Sequence, residues 1–352
     1  MQPTKAPARC PHCNSPRLIK KGTRKKKLET VQLFKCRSCG RVFTPGTQAL
    51  RNKTYPQREI LDAMTAYNLG YTLSETGKKI ASRYGHNVAE STLSRWINLH
   101  PSLTSYRRLR EKGRALFRPP QTIRAVKLYH RQVYEFAHHR PKLALLRTGT
   151  LDDKRSGDAK FAPLADFIES IPTACPHELF TKEDGTRGSQ LAASFVAMDR
   201  LIVNEKQNVA TNTAALILPT VGTNYERHPK LQRFILANDS TTIAVEVPIW
   251  LTENDIAALE KQHGIELVPR NGRPRSITGH IDFLQVRNGA VHILDYKPDA
   301  RTNKPIAQLT IYALALTRLV PGLKLFDIKC AWFNENEYCE FFPRTLLSHG
   351  RK

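Results

Sequence analysis

The sequence predicts a multidomain chain: a small β unit held by a metal, a helical helix-turn-helix unit, and a larger α/β unit whose mixed sheet is flanked by helices. Three observations predict it. Two Cys-x-x-Cys pairs stand near the start, Cys10/Cys13 and Cys36/Cys39. Apolar residues from Ile60 to Ile97 recur at helical spacing. Two apolar runs flank Asn288-Gly289, a strong hairpin signal. At 352 residues the chain exceeds one ordinary domain. With 40% hydrophobic and 24% charged residues it belongs to the globular class, and no run approaches the ~18 apolar residues of a bilayer span. The expected divisions are 1–50, 51–118, a basic helical connector over 119–170, and 171–352.

The first unit follows from cysteine arithmetic. Cys10-Pro11-His12-Cys13 and Cys36-Arg37-Ser38-Cys39 are separated by 22 residues. Two such pairs bring four thiolates to the corners of a tetrahedron, which suits a structural Zn²⁺. So short a segment cannot bury enough surface to fold unaided, so the metal supplies the missing free energy. A redox reading needs only one pair and a thioredoxin-like context, and His12 reads as a spectator. Between the pairs, a basic run ending in Lys25, Lys26 and Lys27 forms the expected tip of a hairpin. The opening residues, MQPTKAPARC, lack an apolar run, so a reducing cytoplasm without disulfides is expected. The pattern through Cys39-Gly40-Arg41-Val42-Phe43 resembles the zinc ribbons that open many bacterial transposases.

Charge points to the partner. Residues 1–150 carry 31 Lys and Arg against 7 Asp and Glu, whereas residues 151–352 carry 24 against 24. The whole net charge of +24 therefore resides in the first part. Such a segment favours a polyanion, because each neutralised phosphate releases counterions. DNA is the expected partner, although ribosomal or RNA-binding proteins share this charge.

The second unit is read from helix signals. Ile60, Leu61, Met64, Tyr67 and Leu69 form one helix closed by Gly70; Thr72-Leu73-Ser74-Glu75 opens another, broken near Gly85; Ser91 to Ile97 forms a third before Pro101. In a helix-turn-helix the third helix enters the major groove, so Ser91, Thr92, Ser94 and Arg95 are candidate DNA contacts, with Leu93, Trp96 and Ile97 packed beneath. A plain helical bundle is the alternative. The phrase resembles recognition helices of transposases and resolvases. From Tyr106 to Arg147 the chain reads as basic and mostly helical, including Tyr129 to His139, whose adjacent His138 and His139 would point to different helix faces.

The third unit carries the chemistry. Thr278-Gly279-His280-Ile281-Asp282 leads into a strand, Asn288-Gly289 turns it, and Val291 to Leu294 leads into Asp295-Tyr296-Lys297. Asp282 and Asp295 then lie on neighbouring antiparallel strands, and Lys297 shares the face of Asp295 because side-chain direction repeats every second residue. Two acids and an amine in a half-buried sheet call for a divalent cation, Mg²⁺ or Mn²⁺. A solvated hairpin with an edge-strand lysine is the alternative.

The G-x-x-D, hairpin, D-x-K arrangement resembles the PD-(D/E)XK nuclease superfamily, in particular its RecB-like branch. The resemblance implies a restriction-endonuclease-like fold, with Asp282 and Asp295 as metal ligands and Lys297 as catalytic lysine. It extends to Glu246 in Ala244-Val245-Glu246-Val247, and to Gln308 and Tyr312 as a Q-x-x-x-Y helix beside the site. Relatives add a histidine from an earlier helix, for which His177 and His228 are the candidates; Pro229 and loop-like surroundings weigh against His228. Cys175, Cys330 and Cys339 are too few for an iron–sulfur cluster and read as packing. Leu191 to Val203 reads as an apolar helix, Ile306 to Val320 as an amphipathic one, with strands in Leu323–Phe333 and Tyr338–Phe342.

These readings combine into a DNA endonuclease in which the basic front half holds the site and the C-terminal unit hydrolyses a phosphodiester. The transposase likeness implies a bacterial, nucleoid-associated protein in a mobile-element, phage or defence setting. A DNA-binding regulator without catalysis and a transposase accessory subunit stay open. No nucleotide loop or nucleophile elbow appears, so no small-molecule cofactor is expected, nor a membrane, and a homodimer is compatible.

Overall fold

The computed structural model describes residues 9–44, 50, 54–105, 107–151, 159–181, 185–191, 193–221, 223–268 and 274–347. The first expected boundary, after residue 50, abuts residues outside this set. Strands β1 (Leu18–Lys25), β2 (Thr30–Cys36) and β3 (Val42–Phe43) form a small antiparallel sheet. Its core is Phe34 and Phe43 with Cys10 and Cys36, a cluster far too small to hold a fold on apolar burial alone.

Helices α1 (Gln57–Asn68), α2 (Leu73–Tyr84) and α3 (Glu90–Leu99) follow. Local chemistry sets the limits of α2. Thr72 Oγ1 accepts from the Glu75 N–H while the Glu75 carboxylate accepts from the Thr72 N–H, and Gly85 ends the helix in the left-handed region at φ +78. Ile60, Met64, Ile80, Leu93 and Trp96 form the inner face. Then α4 (Arg107–Leu116) docks, the Arg110 guanidinium donating to the carbonyls of Tyr67 and Tyr71 at 2.9 and 2.8 Å.

The basic stretch expected to be helical is helical only at its ends; Tyr106 lies outside the described residues. Between α4 and α5 (Arg140–Arg147) run β4 (Ile123–His130) and β5 (Gln132–His139), an antiparallel hairpin turning at Arg131. Its Ile, Val, Tyr and Phe residues suit a pleated surface, and β5 finds a partner in a later strand. His138 and His139 are consequently buried on a strand. Helix α6 (Ala162–Ala174) runs through residue 170, so residues assigned to a connector build the large α/β body.

Next come β6 (Gly185–Arg187) and two 3-10 turns, Ala193–Phe195 and Met198–Arg200, where the apolar pattern predicts one helix; Ala192 lies outside the described residues. The backbone there bonds elsewhere, the Ala197 N–H donating to the Leu346 carbonyl. The remaining elements are β7 (Asn204–Glu205), α7 (Val209–Ile217), α8 (Asn224–Asn238), β8 (Thr242–Thr252), α9 (Glu253–His263), β9 (Ser276–Arg287), β10 (Ala290–Tyr296), α10 (Ile306–Leu319), β11 (Ile328–Phe333), β12 (Tyr338–Phe341) and α11 (Pro343–Leu346).

Among the described residues nine strands form one mixed sheet, ordered β4-β5-β8-β9-β10-β11-β12-β7 with β6 also on β9. The β9–β10 turn has φ +53 at Asn288 and +69 at Gly289, the doubly left-handed pair of a tight hairpin. Helix α10 carries the chain over the sheet so that β11 lies parallel to β10. One core packs α5, α6, α10 and much of the sheet; the other packs α1–α3, α7 and α8 with Phe283, Tyr296 and Phe333. Asn68 Nδ2 donates to Asn238 Oδ1 at 2.6 Å, which joins the three-helix unit to the end of α8. No helix among the described residues is long and apolar enough to cross a membrane.

Candidate functional site

The register that pairs Leu294 with Phe283 sets Asp295 beside Asp282 across the β9–β10 hairpin. Asp282 Oδ2 also accepts the Tyr296 N–H at 3.0 Å. Just past the end of β10, Lys297 Nζ lies 2.8 Å from Asp295 Oδ2. The two acids and the amine thus converge as strand alternation requires.

Glu246 enters from β8 through a break in that alternation. Residues two apart on a strand normally share a face. Here Val245 and Phe283 pack into one core while Val247 and Ile281 pack into the other. The switch falls at Glu246, whose φ of +50 is rare for a residue with a side chain. The strained residue brings its carboxylate within reach of Asp282 and His228.

His228 is the histidine that joins this group, contrary to the weight placed on Pro229. Both residues lie inside α8, and His228 Nε2 is 2.9 Å from Asp282 Oδ2. One potential ligand atom each from His228, Glu246 and Asp282 lies within 4.8 Å of the others. His177 lies elsewhere, against His130. One turn on from His228, Gln232 Nε2 donates to Glu246 Oε1 at 2.7 Å. Sequence reasoning passed over Gln232, although its i,i+4 spacing from His228 is the signal that finds it.

Electrostatics mark the cluster as tense. Burial, then the charge of Asp282, pushes the Glu246 carboxyl up to about 7. Burial also drives Asp295 well above the carboxylate range, with Asp282 adding to it. Desolvation pushes the half-buried Asp282 the same way, but His228 beside it outweighs that and holds its carboxyl low. His228 is raised to about 9, burial opposing and Asp282 prevailing. Asp295 Oδ2 and His228 Nε2 are buried and make no aligned hydrogen bond. Both atoms are held by ion pairs instead, to Lys297 and to Asp282, and the carboxylates of Glu246, Asp282 and Asp295 with the His228 imidazole are a donor set that could hold a divalent cation.

A cavity of about 240 Å³ opens onto the cluster. Gln308 and Tyr312 line it from α10, Gln308 Nε2 donating to the Tyr312 hydroxyl at 3.3 Å. The Tyr312 ring explains Gly279, which lies within β9 and not in a turn: a Cβ there would stand 2.4 Å from ring atom Cε1. Gly188 crowds the same ring, its Cβ position 2.8 Å away. Arg187, Ser189, Tyr134, His130 and His280 complete the walls, and none was singled out from sequence as a site residue. Burial lowers His130 to about 4 and His280 to about 3.

Beside the small sheet, Cys10, Cys13, Cys36 and Cys39 form a group that could hold a structural metal such as zinc. Cys10 Sγ is 3.6 Å from Cys39 Sγ, and Cys13 Sγ is 3.6 Å from Cys36 Sγ. Tetrahedral zinc with bonds of ~2.3 Å sets sulfurs about 3.8 Å apart, so little movement is needed. At the hairpin tip Lys25 and Lys27 are exposed, whereas Lys26 pairs with Glu29 at 2.7 Å. On α3, Ser91 and Arg95 are exposed and Thr92 and Ser94 half-buried, above buried Leu93 and Trp96. Comparison with known proteins adds no relative: no family model, curated protein or solved structure matches the chain.

Proposed function

We propose that this protein is a metal-dependent DNA endonuclease of the PD-(D/E)XK kind. The observation that carries the reading is the meeting of His228, Glu246, Asp282, Asp295 and Lys297 in one cleft, drawn from a helix, three strand positions and a strand end. Few structural roles gather one buried and two half-buried acids around a histidine and a lysine.

His228, Glu246, Asp282 and Asp295 are the residues that would hold Mg²⁺ or Mn²⁺. The bound cation supplies polarisation of the phosphate and a lowered pKa for an attacking water. Lys297 brings three donors to the edge of the acids, where it orients that water and balances charge on the phosphate oxygens. Arg187 and Ser189 line the same cleft and donate to the incoming backbone. Tyr312 and Gln308 close the inner wall and keep bulk solvent from the acids.

DNA is the proposed substrate because the +24 net charge lies in residues 1–150, which include the three-helix unit packed on α8. The exposed side chains of α3 and the ribbon tip would hold the duplex while the cleft cuts it. The test is nicking of supercoiled plasmid with Mg²⁺ or Mn²⁺, set against gel-shift binding in chelator. Loss of nicking with retained binding in Asp282→Asn and Lys297→Ala supports the enzyme. Binding without nicking by the wild type points to a DNA-binding regulator.

A further inference from the structure

A second cluster of ligating side chains adjoins the cavity through His130, one of its lining residues. His130 ends β4, Cys175 caps α6, and His177 opens the 3-10 turn His177–Phe180. Cys175 and His177 thus come from one tight segment and His130 from the edge hairpin. We propose that His130, Cys175 and His177 form a Zn²⁺ site, distinct from both the ribbon and the acidic cluster, that fastens the β4–β5 hairpin to the core.

Geometry carries this. His130 Nε2 lies 2.8 Å from His177 Nδ1, and one potential ligand atom each from His130, Cys175 and His177 lies within 4.8 Å of the others. Zinc bonds of about 2.0–2.1 Å to nitrogen and 2.3 Å to sulfur require separations of roughly 3.3–3.6 Å in a tetrahedron. The two nitrogens, 2.8 Å apart, need to part by about 0.5 Å for tetrahedral zinc, a shift that exposed His177 accommodates. Two imidazoles and a thiol are a borderline-soft donor set that suits Zn²⁺ and not Mg²⁺. Three protein ligands leave the fourth position to solvent.

The surroundings hold the ligands ready. The other nitrogen of His130, Nδ1, lies 2.9 Å from His280 Nε2. A partner on the second ring nitrogen is what fixes tautomer and ring direction in a ligating histidine. Phe180 stacks on His130 with centroids 3.9 Å apart, and Tyr134 stacks on His280 at 3.7 Å. His280 precedes Asp282 by two residues on β9 and lines the cavity, so zinc here would steady one wall of the cleft. The site does not depend on the nuclease reading.

Zinc content tests it directly. Full-length protein equilibrated with a small excess of Zn²⁺ and desalted into excess Mg²⁺, which competes for the acidic cluster, is expected to hold two zinc ions per chain by elemental analysis. His177→Ala, at an exposed position that leaves folding intact by circular dichroism, and Cys175→Ser are each expected to hold one. Co²⁺ substitution separates the two sites, since the mixed nitrogen and sulfur spectrum is expected to vanish in His177→Ala while the four-thiolate spectrum persists. One zinc per chain in the wild type, or two surviving both substitutions, overturns the proposal.

Discussion

Substitution of Gly279 by alanine is the sharpest probe of how the cleft is built. The added methyl would stand 2.4 Å from Tyr312 Cε1, and 2.6 Å from both Cζ and the hydroxyl oxygen. Ordinary carbon contacts begin near ~3.5 Å, so the ring must retreat by about 1 Å. Tyr312 is buried and Gly188 abuts the same ring, so the retreat can only be towards the cleft that the ring lines. Overpacking of this kind costs about 1–3 kcal/mol, and a domain of this size loses roughly 2–4 °C of Tm for each kcal/mol. Gly279→Ala is therefore expected to melt several degrees lower in a thermal scan. The clash belongs to one ring, so in a Tyr312→Leu background the same change should cost much less, a coupling that a double-mutant cycle reads. An undiminished Tm for Gly279→Ala, or equal losses in both backgrounds, would refute the account of Gly279 as space made for Tyr312.

Three further outcomes follow from other parts of the molecule. Buried Lys142 donates to the carbonyls of Leu236 and Thr242, and burial lowers it to about 7. Above that pH the unfolded chain binds more protons than the folded one, so this group adds stability as pH rises, up to about 1.4 kcal/mol per unit until its unfolded value near 10.4. Urea titrations across roughly pH 7 to 9 should show a shallower slope in Lys142→Met, and equal slopes would contradict the assignment. Chelation of zinc, or Cys36→Ser, should expose the β1–β2 hairpin to protease while the large sheet stays resistant; a protected hairpin would mean that the metal is dispensable there. Thr72→Ala removes the cap on α2 and should cost about 1 kcal/mol in denaturant unfolding, whereas Thr72→Ser should cost little.

Features governed by near neighbours could be read from the chain alone. The paired cysteines meet because each pair spans one tight loop; Thr72 and Gly85 bound α2 through bonds within a few residues; Asn288-Gly289 turns back on itself and so carries Asp282, Asp295 and Lys297 to one place. Gln308 and Tyr312 share a face of α10 by helical spacing. The motif likeness expected from sequence pointed to Glu246 but not to its backbone, since a left-handed φ in a strand leaves no mark on composition.

What depended on partners far along the chain stayed hidden. The segment Ile123 to His139 has no decisive period, and it folds as a hairpin whose β5 end pairs with β8 through Ala137 and His138. His228 looked discredited by Pro229, yet α8 tolerates the proline and aims the imidazole at Asp282. His130, His177 and His280 meet although more than a hundred residues separate the first from the last. Local hydrogen bonds and turn geometry act over a few residues and so leave a pattern in the sequence. The meeting of distant side chains is decided by how the sheet and its two cores pack, a free energy summed over the whole molecule and written at no single position.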